Sequence, residues 1–140
     1  MRNFNSDLSY MIQQINHSME QMINERLESE GVSTSQARVL YHLYTTEGSN
    51  QREIQTSLSI KSSSLTKLID ILEKKQLVIR KESPNDSRVK LIFLTEKGKE
   101  KEKRLWQLRE ETETFLSQSL TPEQKDKLIE YLATIKGTLN

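Results

Sequence analysis

Asp86 and Arg88 stand two residues apart in a polar turn, SPNDSRV, and a carboxylate at that spacing can hold a guanidinium by a bidentate pair. A guanidinium on a projecting turn gains in a narrow DNA minor groove, where negative potential is concentrated. Upstream, Ser62, Ser63, Ser64, Thr66 and Lys67 cluster at what reads as a helix start. Short hydroxyls and a lysine there suit close approach to base edges and phosphates, and the free N–H groups of a helix N-terminus favour anions. Lys90, just past the turn, adds a further cation. Together these residues have the chemistry of duplex recognition.

The elements that must position them can be read from periodicity. Leu65, Leu68, Ile69 and Leu72 fall at i, i+3, i+4 and i+7, which predicts a helix over about 62–76 with one buried stripe and Ser63, Thr66, Lys67, Asp70 and Lys74 opposite. Leu77–Lys81 is a short β-prone run, and Val89, Leu91 and Phe93 alternate with Lys90 and Ile92 at the period of a half-buried strand. Pro84 and Asn85 supply the turn between them. Ahead of the long helix, Ser33 with Gln36 and Asn50 with Glu53 are capping boxes, the first opening a helix that Gly48 stops, the second opening a short helix ended by Ser59 and Ile60. Two helices in a tight turn followed by a hairpin is the plan of a winged helix-turn-helix, with one helix in the major groove and the wing in the minor groove.

Charge is distributed as that reading requires. The net charge is only +1, yet residues 61–104 hold 13 Lys/Arg against 7 Asp/Glu, while the rest holds 8 against 13. Positive potential is therefore concentrated where a phosphate backbone would be met. The composition contains no cysteine, which excludes disulfides, thiolate metal sites and thiol redox sensing. His17 and His42 are the only histidines, so no metal site and no cofactor is expected. Ser64 to Lys67 reproduces S-x-x-K, but S-D-N and K-T-G are missing, and without a phosphate-cradling glycine loop or a nucleophile–base pair an enzyme is not expected. No run of about 18 apolar residues suggests a membrane span, nor does the start resemble a signal peptide. The expectation is a cytoplasmic protein that makes no use of membranes.

Flanking the central unit are helices that need partners. Phe4, Leu8, Met11, Ile12, Ile15, Met19, Met22, Ile23 and Leu27 recur at helical spacing up to Gly31. Thr95 caps a helix predicted to run to about Gln118, carrying Leu105, Leu108, Thr112, Phe115 and Leu116 on one side. Thr121, Pro122 and Gln124 then open a last helix with Leu128, Leu132, Ile135 and Leu139. A chain of 140 residues is expected to form one mainly α (α+β) domain, with the winged helix over about 33–98. The helices of about 1–30 and 100–140 would interdigitate with a second copy, forming a homodimer.

Across nearly its whole length the chain resembles the MarR family of winged-helix transcription regulators. The resemblance rests on NQREIQTSLSIKSSSLTKLIDILEKKQLV and on NDSRVKLIFLTEKG, with its D-x-R followed by L-T-x-x-G. It implies a homodimer on a palindromic double-stranded operator, usually a repressor, often released by a small-molecule ligand. Arg88 matches the family's minor-groove arginine and Asp86 the residue that fixes it. The N-terminal segment SYMIQQINHSMEQMINERLE with VLYHLY is similar to the small multidrug-efflux repressors of MepR type. In that family the ligand pocket lies where the dimer helices meet the DNA-binding lobe, so Met11, His17, Met19, Tyr41 and Tyr44 are the expected lining. Two alternatives remain open, a winged-helix regulator without small-molecule control and a winged-helix protein–protein interaction module.

Overall fold

The computed structural model describes residues 3–140. Its elements are helices α1 (Leu8–Glu28), α2 (Thr34–Thr45), α3 (Gln51–Leu58) and α4 (Ser62–Lys74), strands β1 (Val78–Glu82) and β2 (Lys90–Leu94), then α5 (Glu96–Glu100), α6 (Glu102–Ser117) and α7 (Pro122–Leu139). They fall into two compact units, one reaching to Trp106 and the other covering 107–140. The fold is a mainly α winged helix with a small antiparallel sheet.

Local capping sets most helix starts in the first unit. Ser33 Oγ accepts from the Gln36 amide while Gln36 Oε1 accepts from the Ser33 amide, and Asn50 and Glu53 repeat the arrangement at α3. α3 ends at Ser59, which takes the left-handed conformation (φ 53°), and this reverses the chain into α4. Leu65, Ile69 and Leu72 then point into a core shared with Leu40, Leu43 and Ile54. α4 stops at Lys74, earlier than the spacing suggested, because Gln76 is also left-handed (φ 62°) and the amides of Gln76 and Leu77 close on the carbonyls of Glu73 and Leu72.

β1 and β2 form a hairpin in the register Val78↔Leu94, Arg80↔Ile92, Glu82↔Lys90. Ile92 and Leu94 are the buried residues of β2, opposite to the face that begins at Val89. Expected alternation therefore held, but the inward set is the one containing Ile92, because Val78 across the ladder must cover the end of α4. The middle and tip side of β2 are anchored to the segment before α3, by a bridge between Asn50 and Leu91 and by Ile92 N–H donating to the Ser49 carbonyl at 2.9 Å.

Two expectations for the flanking helices need correction. Phe4 lies in a separate 3-10 turn (Phe4–Ser6), off α1, since Asn3 caps that turn and Asp7 is extended. The helix opened by Thr95 is interrupted at Lys101 instead of running on to Gln118. Tyr44 Oη donates to the Gly98 carbonyl at 2.8 Å, taking the acceptor that the amide four residues later would use in an unbroken helix.

Within the first unit, α1 leaves Leu8, Met11, Ile12 and Ile15 between 40% and 70% exposed. In the second unit α7 is capped by Thr121 with Gln124 and Pro122 at its first turn. Phe115, Leu116, Leu128, Ile129, Tyr131 and Leu132 are exposed there.

Candidate nucleic-acid interface

α4 presents its N-terminus without a side-chain cap, because Lys61 precedes it and offers no oxygen. Ser62, Ser63, Ser64 and Lys67 are all exposed on its first turns. The first-turn amides are therefore open to an anion. Thr66 is turned differently. Its hydroxyl donates to the Ser62 carbonyl at 3.0 Å and accepts from Gln51 Nε2 at 3.4 Å, so the methyl group remains for contact with a base.

The hairpin tip carries the second part of the site. Asp86 Oδ1 accepts from both the Arg88 amide (3.0 Å) and Arg88 Nε (3.1 Å), and Oδ2 accepts from Nη2 at 3.1 Å. This bidentate grip leaves the Arg88 side chain 89% exposed with its direction fixed. The side chain of Arg88 first, and its amide second, hold the Asp86 carboxyl below its ordinary value of 3.8. Lys90 faces along the hairpin, donating to Glu82 Oε1 at 3.1 Å and to the Ser87 carbonyl at 3.3 Å.

Between wing and helix-turn-helix lies a groove of about 400 Å³ lined by Asn50, Gln51, Arg52, Arg88, Val89 and Lys90. Three cations converge on it, a geometry suited to a phosphate backbone passing from the wing to α3. Gln51 and Arg52 were not anticipated from sequence. The only sequence signal was their place directly after the Asn50 cap. What brings them beside Arg88 is the Asn50–Leu91 bridge, a pairing across 41 positions.

The residues expected around a small-molecule pocket are spread over two settings. His17 lines a shallow groove of about 390 Å³ with Tyr10, Gln13, Gln14 and Ser18, Met11 is exposed and Met19 half-buried. Tyr41 and Tyr44 instead pack with Trp106, at ring-centroid distances of 4.8 and 6.4 Å. Their hydroxyls donate to the carbonyls of Leu105 and Gly98. Burial, with the charge of Glu102 and then Tyr41 adding to it, pushes the Tyr44 phenol well above its ordinary value. His42 is held by two serines, Nδ1 at 3.2 Å from Ser57 Oγ and Nε2 at 3.0 Å from Ser49 Oγ. Ser49 gives its proton to the Thr46 carbonyl, so Nε2 is the protonated nitrogen. Among the described residues no group of three or more His, Asp or Glu is placed to hold a metal ion, and no helix is long and apolar enough to cross a membrane.

Comparison with known proteins places this geometry. The profile described as MarR family matches residues 32–90, from two residues before α2 to the first residue of β2. The uncharacterized HTH-type transcriptional regulator YwoH of Bacillus subtilis (strain 168) is 36% identical over 66% of this chain and 69% of its own. The chain belongs to the MarR family. The uncharacterized HTH-type transcriptional regulator YdgJ of the same organism is 29% identical over 96% of this chain and 80% of its own. Among solved structures, that of S. aureus MepR in complex with DNA superposes with a TM-score of 0.89 at 27% identity, covering 95% of this chain and 98% of MepR. MarR-family membership makes the chain a DNA-binding transcription regulator, and the family is one of regulators, not of enzymes.

Proposed function

We propose that the protein is a homodimeric, sequence-specific repressor that binds a palindromic operator. α4 enters the major groove through Ser62, Ser63, Ser64, Thr66 and Lys67, and each wing inserts Arg88 into the adjacent minor groove. The observation that carries this reading is the Arg88 guanidinium, 89% exposed and clamped by Asp86 at the tip of the hairpin. A cation that is both solvent-facing and fixed in direction is prepared to enter a groove without further ordering cost.

Support for a dimer comes from the exposed apolar faces of α1 and α7. Side chains such as Leu8, Ile15, Ile129 and Leu132 are 45–70% exposed, and a second copy gives them an apolar surface to bury. Light scattering should return twice 16.4 kDa. Fluorescence anisotropy with the DNA upstream of the gene should show tight binding only to a segment with an inverted repeat, the half-sites about one helical turn apart. A stable monomer, or equal affinity for scrambled duplex, would overturn the reading.

Control by a small apolar or aromatic ligand belongs to the same proposal, its support being the family resemblance together with the α1 and α2 residues Met11, His17, Met19, Tyr41 and Tyr44. Such a ligand acts only through differential affinity for the DNA-bound and free dimers, so operator must weaken ligand binding by the same factor that ligand weakens operator binding. Calorimetric titration of a phenolic acid and of an apolar aromatic cation, with and without operator, measures both sides of that equality. A cytoplasmic location is part of the reading, since the operator lies on chromosomal DNA.

A further inference from the structure

β1 contains a cation that is withheld from solvent. Arg80 lies on the inward face of the hairpin, opposite Ile92, with its side chain only 20% exposed. Its acceptors all come from α4. Nη2 donates to Asp70 Oδ1 at 2.6 Å and to the Thr66 carbonyl at 3.4 Å, and Nη1 donates to Glu73 Oε1 at 3.0 Å. The Arg80 amide donates to the other Glu73 oxygen at 3.3 Å. Thr66, Asp70 and Glu73 are spaced i, i+4 and i+7, so one arginine fastens successive turns of α4 to the middle of β1.

This fastening is placed where the hairpin most needs it. A two-stranded hairpin has little stability of its own. Its root is fixed by the Leu77 and Gln76 amides on α4 and β2 is tied to Ser49 and Asn50, whereas among the described residues the side-chain bonds that join β1 to α4 are those of Arg80. From Arg80 to the tip the hairpin extends about 15–20 Å at the rise of a β-strand, so with β2 held at Leu91 a tilt of about 10° on the β1 side carries Arg88 about 3 Å. A displacement of that size is a whole hydrogen-bond length.

We propose that Arg80 is a positioning residue that sets the separation and angle between the recognition helix and the wing, and so decides which DNA geometry both can enter together. The inference rests on the DNA-binding reading above. Arg80 acts through Asp70 and Glu73 and makes no contact with phosphate. It also offsets half the charge of two carboxylates that are 59% and 43% exposed on α4 and would otherwise repel the DNA backbone more strongly. Lysine cannot replace it, because a single ammonium lacks the planar fork that reaches both carboxylates at once.

The positioning effect and the charge effect separate experimentally. An operator duplex is selected from random DNA with the unmodified protein, and Arg80→Ala, Arg80→Lys and the triple variant Arg80→Ala/Asp70→Asn/Glu73→Gln are titrated against it and against a non-specific duplex over a range of salt. Arg80→Ala should lose specific affinity by about tenfold or more, the scale of one lost groove contact. In the triple variant, which removes one positive and two negative charges, non-specific affinity should rise to at least the unmodified level while specific affinity stays low. Hydroxyl-radical footprints should then lose the minor-groove protection of the wing and keep that of α4. Arg80→Lys, which keeps the charge and guards against an unfolded alanine variant, should fall between the two. Full recovery of specific affinity in the triple variant would reduce Arg80 to a charge mask and overturn the positioning role. A salt slope lowered by about one in Arg80→Ala would make it a phosphate contact instead and likewise overturn it. If the unmodified protein selects no duplex at all, the DNA-binding reading fails; if it does and the Arg80 variants match it, only the positioning role fails.

Discussion

Gly98 is the glycine of the L-T-x-x-G motif, and replacing it by alanine tests why that residue is there. Gly98 sits in α5, so on helix propensity alone Gly98→Ala should stabilise by about 0.5–1 kcal/mol. Sterics oppose this. A Cβ at Gly98 would lie 2.2 Å from the Leu77 carbonyl oxygen and 3.3 Å from Leu94 Cδ2. The first distance demands about 1 Å of movement, and forcing an extra carbon into such a site costs about 1–3 kcal/mol. The oxygen cannot move freely, since it accepts from Thr95 N–H at 3.1 Å and the Leu77 amide is itself bonded to Leu72. If α5 moves instead, it strains the Thr95 cap on the Gly98 amide and the Tyr44 bond to the Gly98 carbonyl, each worth about 1 kcal/mol. The net expectation is a loss of about 2–3 kcal/mol in urea unfolding followed by circular dichroism at fixed protein concentration. Gly137→Ala in α7 is the internal control, because nothing within the chain lies within 4 Å of its added carbon, and it should gain up to about 1 kcal/mol. A Gly98→Ala protein as stable as the parent would show that close approach to Leu77 is not what the glycine provides.

Arg88→Ala should weaken operator binding by about 1–3 kcal/mol while leaving the unfolding midpoint unchanged, because the side chain is 89% exposed and supports no core residue; anisotropy and circular dichroism on one preparation check both halves. Asp86 has its carboxyl held below 3.8 by Arg88, so its contribution is complete above that pH and is lost only as pH falls through the lowered value. Operator affinity between pH 5 and 8 should therefore be no more pH-dependent in the parent than in Asp86→Asn, which anisotropy across that range would reveal. Tyr44 ionises above its ordinary value of 10.0, so its stabilising bond is intact below pH 10 and is lost as pH rises through the raised value. Ultraviolet titration should lose this late-ionising phenol in Tyr44→Phe, with a stability cost of about 1 kcal/mol near neutrality.

Features that depend on residues three or four apart were legible in the sequence. The capping boxes of α2, α3 and α7 occur at Ser33, Asn50 and Thr121 as expected, and so does the buried stripe Leu65, Ile69 and Leu72. The Asp86–Arg88 pair was equally local, a contact across two positions. Features joining distant positions were not legible. Gly98 against Leu77, Tyr44 against Gly98, Gln51 against Thr66 and Arg80 against Asp70 depend on how elements pack, and no spacing rule announces them. The strand face was ambiguous for a related reason. Val89, Leu91 and Phe93 are as apolar as Ile92 and Leu94, and alternation gives a period without saying which set faces inward. Phe93 finds its own use outside the core, lying 5.0 Å beneath the Lys81 ammonium.

Ser59 and Gln76, the left-handed residues on either side of α4, have a consequence for how such a regulator can diverge. A side chain in that conformation costs about 1–2 kcal/mol relative to glycine, yet both joints hold the chain direction by backbone bonds of their own. The exposed residues Ser62, Ser63, Ser64 and Lys67 contribute nothing to either joint or to the Leu65–Ile69–Leu72 stripe. The first outer turns of the segment between the joints are thus free to change, whereas Thr66, Asp70 and Glu73 are tied to Arg80. Substitutions along those first turns can retarget the protein to another sequence at little cost in folding, and Ser59→Gly or Gln76→Gly would supply a reserve of stability for the changes that do carry a cost.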